Sequence, residues 1–116
     1  MCVTFDGKIL SWGTGSHGRL GQGSADDILS PSLIPELSGY QIDMISAGGS
    51  HSACITSMKR LYTWGNNVFG RLGHGIDSNE QKDILTPTHV EYFDKINNGQ
   101  DIISVSCGAF HTFCIT

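Results

Sequence analysis

Three observations on the 116-residue sequence predict an all-β fold. Short runs of β-branched and aromatic residues alternate with turns, fifteen glycines punctuate the chain, and a pattern recurs with a period of roughly 50 residues. Together they predict antiparallel four-stranded sheets of the size of a β-propeller blade.

The N-terminal part supplies strands at Cys2–Phe5, Ile9–Trp12 and Ser32–Ile34. A central set follows at Ile42–Ala47, His51–Thr56, Leu61–Trp64 and Thr88–Phe93, and the last two strands are Ile102–Ser106 and His111–Thr116. Turns as tight as Thr56-Ser-Met-Lys-Arg60 join antiparallel neighbours, and no stretch shows helical periodicity. The expected organisation is a partial blade (strands two to four) with its onward connection over residues 1–41, a complete blade with loop insertions over 42–101, and the first two strands of the next over 102–116.

The repeat is explicit. "CVTFDGKILSWGTGSHGRLGQG" from Cys2 aligns without a gap on "CITSMKRLYTWGNNVFGRLGHG" from Cys54. Past this loop the second copy is longer by four residues, so that Asp27-Ile-Leu-Ser-Pro31 matches Asp83-Ile-Leu-Thr-Pro87. "ISAGGSHSACIT" from Ile45 then matches "VSCGAFHTFCIT" from Val105. Self-similarity of this kind marks stacked supersecondary units.

These residues resemble the repeat of the regulator of chromosome condensation family, which runs from a Gly-x-x-His strand through a Trp-Gly turn to a Gly-x-Leu-Gly-x-Gly loop. The resemblance covers essentially the whole chain. It implies a seven-bladed β-propeller, of which two repeats would make a part. The matching positions, expected to be structural, are Trp12, Gly13, Gly18, Gly21, His51, Trp64, Gly65, Gly70, Gly73 and His111.

Composition excludes several classes of function. The net charge is −4, from seven Lys and Arg against eleven Asp and Glu, and without a basic run nothing would release counterions from a nucleic acid backbone. No apolar stretch reaches the length of a membrane span, and "MCVTFDGK" lacks the apolar core of a signal peptide. An intracellular protein, cytoplasmic or nuclear, is expected. Cys2, Cys54, Cys107 and Cys114 show no C-x-x-C spacing and read as reduced thiols, mostly in the core.

Gly13, Gly15 and Gly18 fall at the G-x-G-x-x-G spacing of a phosphate loop. Pro31 and Pro35, however, leave no room for the long helix such a loop opens, and the second copy replaces Gly15 with Asn67. A left-handed turn position accepts Asn nearly as well as Gly, so turn geometry accounts for both copies and phosphate binding for one.

The pairs His51/Cys54 and His111/Cys114 raise a metal site, but residues three apart on a strand face opposite sides and cannot share an ion. Each His is expected to pack, with its ring bonded to neighbouring backbone. Cys2, Cys54 and Cys114 occupy equivalent apolar positions, which signals packing rather than a nucleophile, so neither catalysis nor a cofactor is expected. Trp12 and Trp64 are expected in the core or between blades with their indole N–H bonded locally. Arg19 and Arg71 are expected to lay their stems across the turn and pair with a neighbouring acid, in preference to meeting a partner.

Where the copies differ, function is better sought, because loops on a repeated frame form the variable surface. The candidate partner-binding residues are Ser16 and His17 against Val68 and Phe69, with the polar loop from Ile76 to Asp83. Phe69 either contacts a partner or tucks over the neighbouring blade, and the sequence leaves both open.

The resemblance implies several unrelated functions, among them nucleotide exchange on the GTPase Ran, propellers of HECT-type ubiquitin ligases, ciliary interaction proteins and a plant ultraviolet-B receptor. For exchange, the resemblance implies acidic residues on the propeller face that contacts the GTPase, some of them in loops after the Trp-Gly turn; Gly15–Gly23 and Asn67–Gly75 hold no Asp or Glu, which weakens the expectation for these blades. The photoreceptor needs clustered tryptophans, and here two stand a whole repeat apart. The leading expectation is a protein-interaction module whose partner is a protein such as a small GTPase or a ubiquitin-pathway component. The alternative is a guanine nucleotide exchange factor for a Ran-like GTPase at chromatin. Incomplete first and last sheets add the expectation that the isolated chain self-associates.

Overall fold

The computed structural model describes residues 1–75, 82–96 and 99–116. Among them lie nine strands: β1 (Cys2–Val3), β2 (Ile9–Gly13), β3 (Ile28–Leu33), β4 (Ile42–Ala47), β5 (His51–Thr56), β6 (Leu61–Gly65), β7 (Ile84–His89), β8 (Ser104–Cys107) and β9 (Thr112–Ile115). They form three antiparallel sheets in the orders β1-β2-β3, β4-β5-β6-β7 and β8-β9. The helical segments described are short 3-10 turns, Ser16–Gly18, Pro35–Leu37, Val68–Gly70 and Glu91–Asp94.

The sheets stack face to face, and the alternation of side chains along β5 shows how. Every residue of β5 is buried, because both faces of its sheet are covered. Cys54 joins Trp64, Ile42, Ile9, Ile34 and Leu37 in a core between the first and second sheets. Ala53 and Ile55 point the other way, into a core with Leu61, Val90, Ile102 and Val105. A period of two thus feeds two cores from one strand.

Register follows the same logic. Ser52 stands opposite Trp64, Cys54 opposite Tyr62 and Ile55 opposite Leu61. Between Thr63 and Gly65 the pairing of β6 with β7 slips, and between Ser11 and Gly13 that of β2 with β3 slips likewise. Both irregularities fall at the Trp-Gly step, where Gly13 and Gly65 take φ of 105° and 108°. At Gly65 a Cβ would lie 2.7 Å from the Ser50 carbonyl oxygen, so glycine is needed for both backbone conformation and approach.

The outer strands sit earlier than the sequence pattern predicts. In place of Ser32–Ile34 and Thr88–Phe93, the chain pairs over Ile28–Leu33 and Ile84–His89. Pro31 and Pro87 lie inside these strands, which is compatible with pairing because an outer strand has one free edge and the missing N–H can face it. Glu91–Asp94 forms a 3-10 turn instead of strand, although Val90 before it remains buried.

Trp64 is fully buried, whereas its counterpart Trp12 is 39% exposed. Replacing Trp64 by Phe is expected to cost about 2 kcal/mol, from lost volume and a lost indole hydrogen bond. The same change at Trp12 should cost under about 1 kcal/mol, since little burial is lost. Urea denaturation of the two variants checks the difference.

Candidate functional site

The loop after each Trp-Gly step defines one end of the stacked sheets. Its middle position is not left-handed, contrary to expectation: Gly15 has φ −94° and Asn67 φ −103°. Gly15 is required for another reason, since a Cβ there would run into the Asp26 carbonyl, while its N–H donates to Asp27 Oδ1 at 2.8 Å. The left-handed position falls two residues later, at His17 and Phe69, both with φ 63°.

From this loop an arginine crosses to the next sheet. The Arg19 guanidinium donates to the Ser16 carbonyl at 2.9 Å, to Ser16 Oγ at 2.6 Å and to the Gly49 carbonyl at 3.0 Å. Arg71 repeats the pattern on the carbonyls of Val68 at 2.9 Å and Ala109 at 3.1 Å. The expected acid partners are replaced by backbone carbonyls, which lie at equivalent places in the two copies. The arginine's own carbonyl is used as well. Arg19 O accepts from Ser52 Oγ at 2.8 Å and from Trp64 Nε1 at 3.0 Å, and Arg71 O accepts from Thr112 Oγ1 at 2.8 Å. The indole of Trp64 therefore bonds across the blade junction, not locally.

His51 also bonds across a junction. Its Nε2 lies 2.9 Å from Thr112 Oγ1, a side chain of the third sheet rather than neighbouring backbone, while its Nδ1 is buried without a partner. Burial and the nearby Arg71 charge hold its pKa below the ordinary histidine value. His111, in the equivalent place on the last sheet, is exposed and rests against Phe113 with ring centroids 4.9 Å apart.

Inside each loop a hydroxyl is clamped. Ser11 Oγ and Thr63 Oγ1 each donate at 2.7 Å to the carbonyls of Leu20 and Leu72. The same oxygens accept from Gln22 Nε2 at 3.1 Å and from His74 Nε2 at 2.9 Å. None of these four side chains was singled out from the sequence. The signal available was a hydroxyl recurring at position 11 and 63, as it does at 52 and 112.

The four candidate partner-binding residues divide. Ser16 is tied into the arginine bridge, and half-buried Val68 gives its N–H to Asn66 Oδ1 at 2.9 Å. His17 lies on the surface with Nδ1 2.9 Å from Asp83 Oδ2 and 3.0 Å from Asn66 Nδ2. Phe69 is 76% exposed and meets Phe110 of the third sheet edge to face, centroids 6.3 Å apart. It touches the neighbouring blade and still faces solvent. Phe110 is 63% exposed, with the Arg71 guanidinium 5.2 Å from its ring centre. Phe110 is not among the residues expected from the sequence; it stands where the first copy has Ser50. Of the polar loop, residues 76–81 lie outside the described residues.

The cysteines are free, and burial pushes the Cys54 thiol up to about 12 and raises those of Cys107 and Cys114. Among the described residues no three His, Cys, Asp or Glu side chains gather to hold a metal ion. No helix among them is long and apolar enough to cross a membrane.

Stacked antiparallel blades joined by a repeated arginine bridge define a β-propeller repeat protein. The family model described as the regulator of chromosome condensation (RCC1) repeat matches residues 6–55 and 60–115, and a second model of that repeat matches 42–71. The chain belongs to this family. The E3 ubiquitin-protein ligase HERC2 of Mus musculus is 36% identical over 118 residues, covering 100% of this chain and 2% of its own length. The ultraviolet-B receptor UVR8 of Arabidopsis thaliana is 34% identical over 116 residues, covering 100% of this chain and 24% of its own. The chain thus spans a quarter or less of these relatives. Human WBSCR16 superposes with a TM-score of 0.83 at 21% identity, over 98% of this chain and 27% of that one. Prp20p of Saccharomyces cerevisiae gives 0.77 at 21% identity, over 92% and 26%.

Burial also holds the His74 pKa below its ordinary value. For His51 and His74 the folded state thus resists protons that the unfolded state accepts. Their contribution is full above about pH 6.5, the unfolded value, and is lost as pH falls from there through the folded values. The urea midpoint is expected to drop between about pH 7 and pH 5. His74→Gln, which reproduces the Gln22 bond of the first copy, should flatten that slope.

The thiols offer a second check. Cys54 should resist iodoacetamide in the native chain at about pH 8 and react once the chain is unfolded.

Proposed function

We propose that this chain is a protein-interaction module that performs no chemistry of its own and presents the Phe69–Phe110 pair to a protein partner. One observation carries the reading. Phe69 keeps a left-handed backbone, φ 63°, while its ring is 76% exposed. A bulky residue there costs on the order of 1 kcal/mol, and a ring left mostly in water returns little burial energy. Strain kept at an exposed aromatic suits a contact residue, and aromatic and arginine side chains grouped together are common anchors of protein interfaces. His17, at the same backbone position in the first copy, extends this face toward the first blade.

The class of partner is supported by the relatives. HERC2 is a ubiquitin-protein ligase, and Prp20p is described with binding properties toward Gsp1p and histones. A small GTPase or a ubiquitin-pathway component inside the cell is the partner proposed. Exchange activity toward a Ran-like GTPase draws no support from these blades, whose loops 15–23 and 67–75 lack Asp and Glu.

In the full-length protein, Phe69→Gly is expected to raise stability by about 1 kcal/mol and to lower recovery of at least one bound protein tenfold or more. Phe110→Ser should reproduce that loss. Unchanged recovery of every bound protein by both variants would refute the assignment. Strong acceleration of nucleotide release from a Ran-type GTPase would replace it with exchange activity.

A further inference from the structure

At the first blade junction one ring nitrogen faces two partners that it cannot serve together. The turn Ser16–Gly18 reaches over the second blade, and His17 Nδ1 lies 2.9 Å from Asp83 Oδ2 and 3.0 Å from Asn66 Nδ2. The Asn66 amide cannot be turned round, because its Oδ1 accepts the Val68 N–H at 2.9 Å and a nitrogen could not. Its NH2 group therefore points at the imidazole. To accept from it, Nδ1 must be bare, and a bare Nδ1 sets a lone pair against the Asp83 carboxylate. To bond Asp83, Nδ1 must carry hydrogen, which then meets the hydrogens of Asn66. A neutral ring satisfies one partner or the other. The protonated ring has N–H at both nitrogens and gives Nδ1–H to Asp83 in a charge-assisted bond, leaving Asn66.

Asn66 is the residue that shapes the next turn. Its Oδ1 bond to the Val68 N–H opens the turn Val68–Gly70, in which Phe69 holds φ 63°. The first copy has Thr14 in its place, with no carboxamide to form such a bond. Asn66 is 7% exposed, and a shielded NH2 that loses its acceptor is costly, so the side chain turns to find another. That movement also withdraws Oδ1 from Val68.

We propose that His17 is a proton-operated latch on the Phe69 turn. Neutral, it accepts from Asn66 and keeps the turn closed; protonated, it turns to Asp83 and frees Asn66 from both His17 and Val68. As a regulation of the contact face, this rests on the reading of Phe69 as a contact residue. The turn that carries His17 packs on β6 and β7. Asp83, at the start of β7, is the acid bonded to it among the described residues, and exposed Lys82 precedes that acid. Tyr62 and His89 of the same two strands stand opposite each other at the far end of the pairing. Arg19, in the same loop, is spent on Ser16 and the Gly49 carbonyl.

Nuclear magnetic resonance of the 116-residue chain across the range in which histidines titrate, about pH 8 to about pH 5, tests the latch. The His17 ring, the Asn66 side-chain amide and the Val68 N–H should titrate with one midpoint, and hydrogen-exchange protection at Val68 should fall about threefold or more. His17→Asn keeps a residue that accepts the left-handed backbone, and it should hold the Asn66 and Val68 signals flat while His51 and His74 still titrate. Signals of Asn66 and Val68 that ignore the His17 titration, or that move as before in His17→Asn, overturn the proposal. In the full-length protein, recovery of proteins bound through Phe69 should fall about threefold between about pH 7.5 and about pH 6, and His17→Asn should lose that dependence. A level recovery in the unaltered protein removes the regulatory role. If the three signals titrate together while Phe69→Gly changes no recovery, the latch stands and the contact reading fails.

Discussion

One carbonyl at each blade junction organises the stack. Arg19 and Arg71 offer their main-chain oxygens to the next blade while their guanidinium groups take carbonyls from it, so each residue is both acceptor and donor across the gap. Both guanidiniums bond backbone rather than carboxylate. A carbonyl is present whatever the side chain, so the bridge survives changes such as Gly49 becoming Ala109. The long positive side chain is neutralised by several partial charges, a way of satisfying a shielded cation that does not need an acid in every repeat.

The consequence for packing is a junction sealed by polar contacts at its loop end and apolar contacts along its strands. Cys54, Ile42 and Trp64 close the first core, Ala53, Ile55 and Val105 the second, and β5 belongs to both. Stability in such an arrangement is a sum over neighbouring interfaces. The loop end can then vary in sequence without loss of the frame, as it does between His17 and Phe69.

Much of this was legible in the sequence, for reasons that can be named. The repeat fixed the equivalence of Trp12 with Trp64 and of Cys2, Cys54 and Cys114, and β-branched and aromatic runs between turns marked β5 and β6 to within a residue. The outer strands were harder to place because Pro31 and Pro87 are compatible with pairing only on an edge, and edge status is a property of the whole sheet. The arginine partners were hidden because carbonyls leave no mark in a sequence. The role of Gly15 was hidden for a related reason: its constraint is the Asp26 carbonyl, while its own φ is ordinary. Phe110 could have been noticed, since an aromatic ring replaces a serine immediately before the repeated histidine.

The prolines of the outer strands have one more effect. A sheet edge with every N–H free is a template for another chain, and long apolar edges invite amyloid-like stacking. Leu29 and Leu33 are 96% and 54% exposed on β3, so this edge would otherwise be sticky. Pro31 between them removes one donor from the middle of the strand, and Pro87 does so on β7. The rim of the propeller is thereby made a poor seed for aggregation.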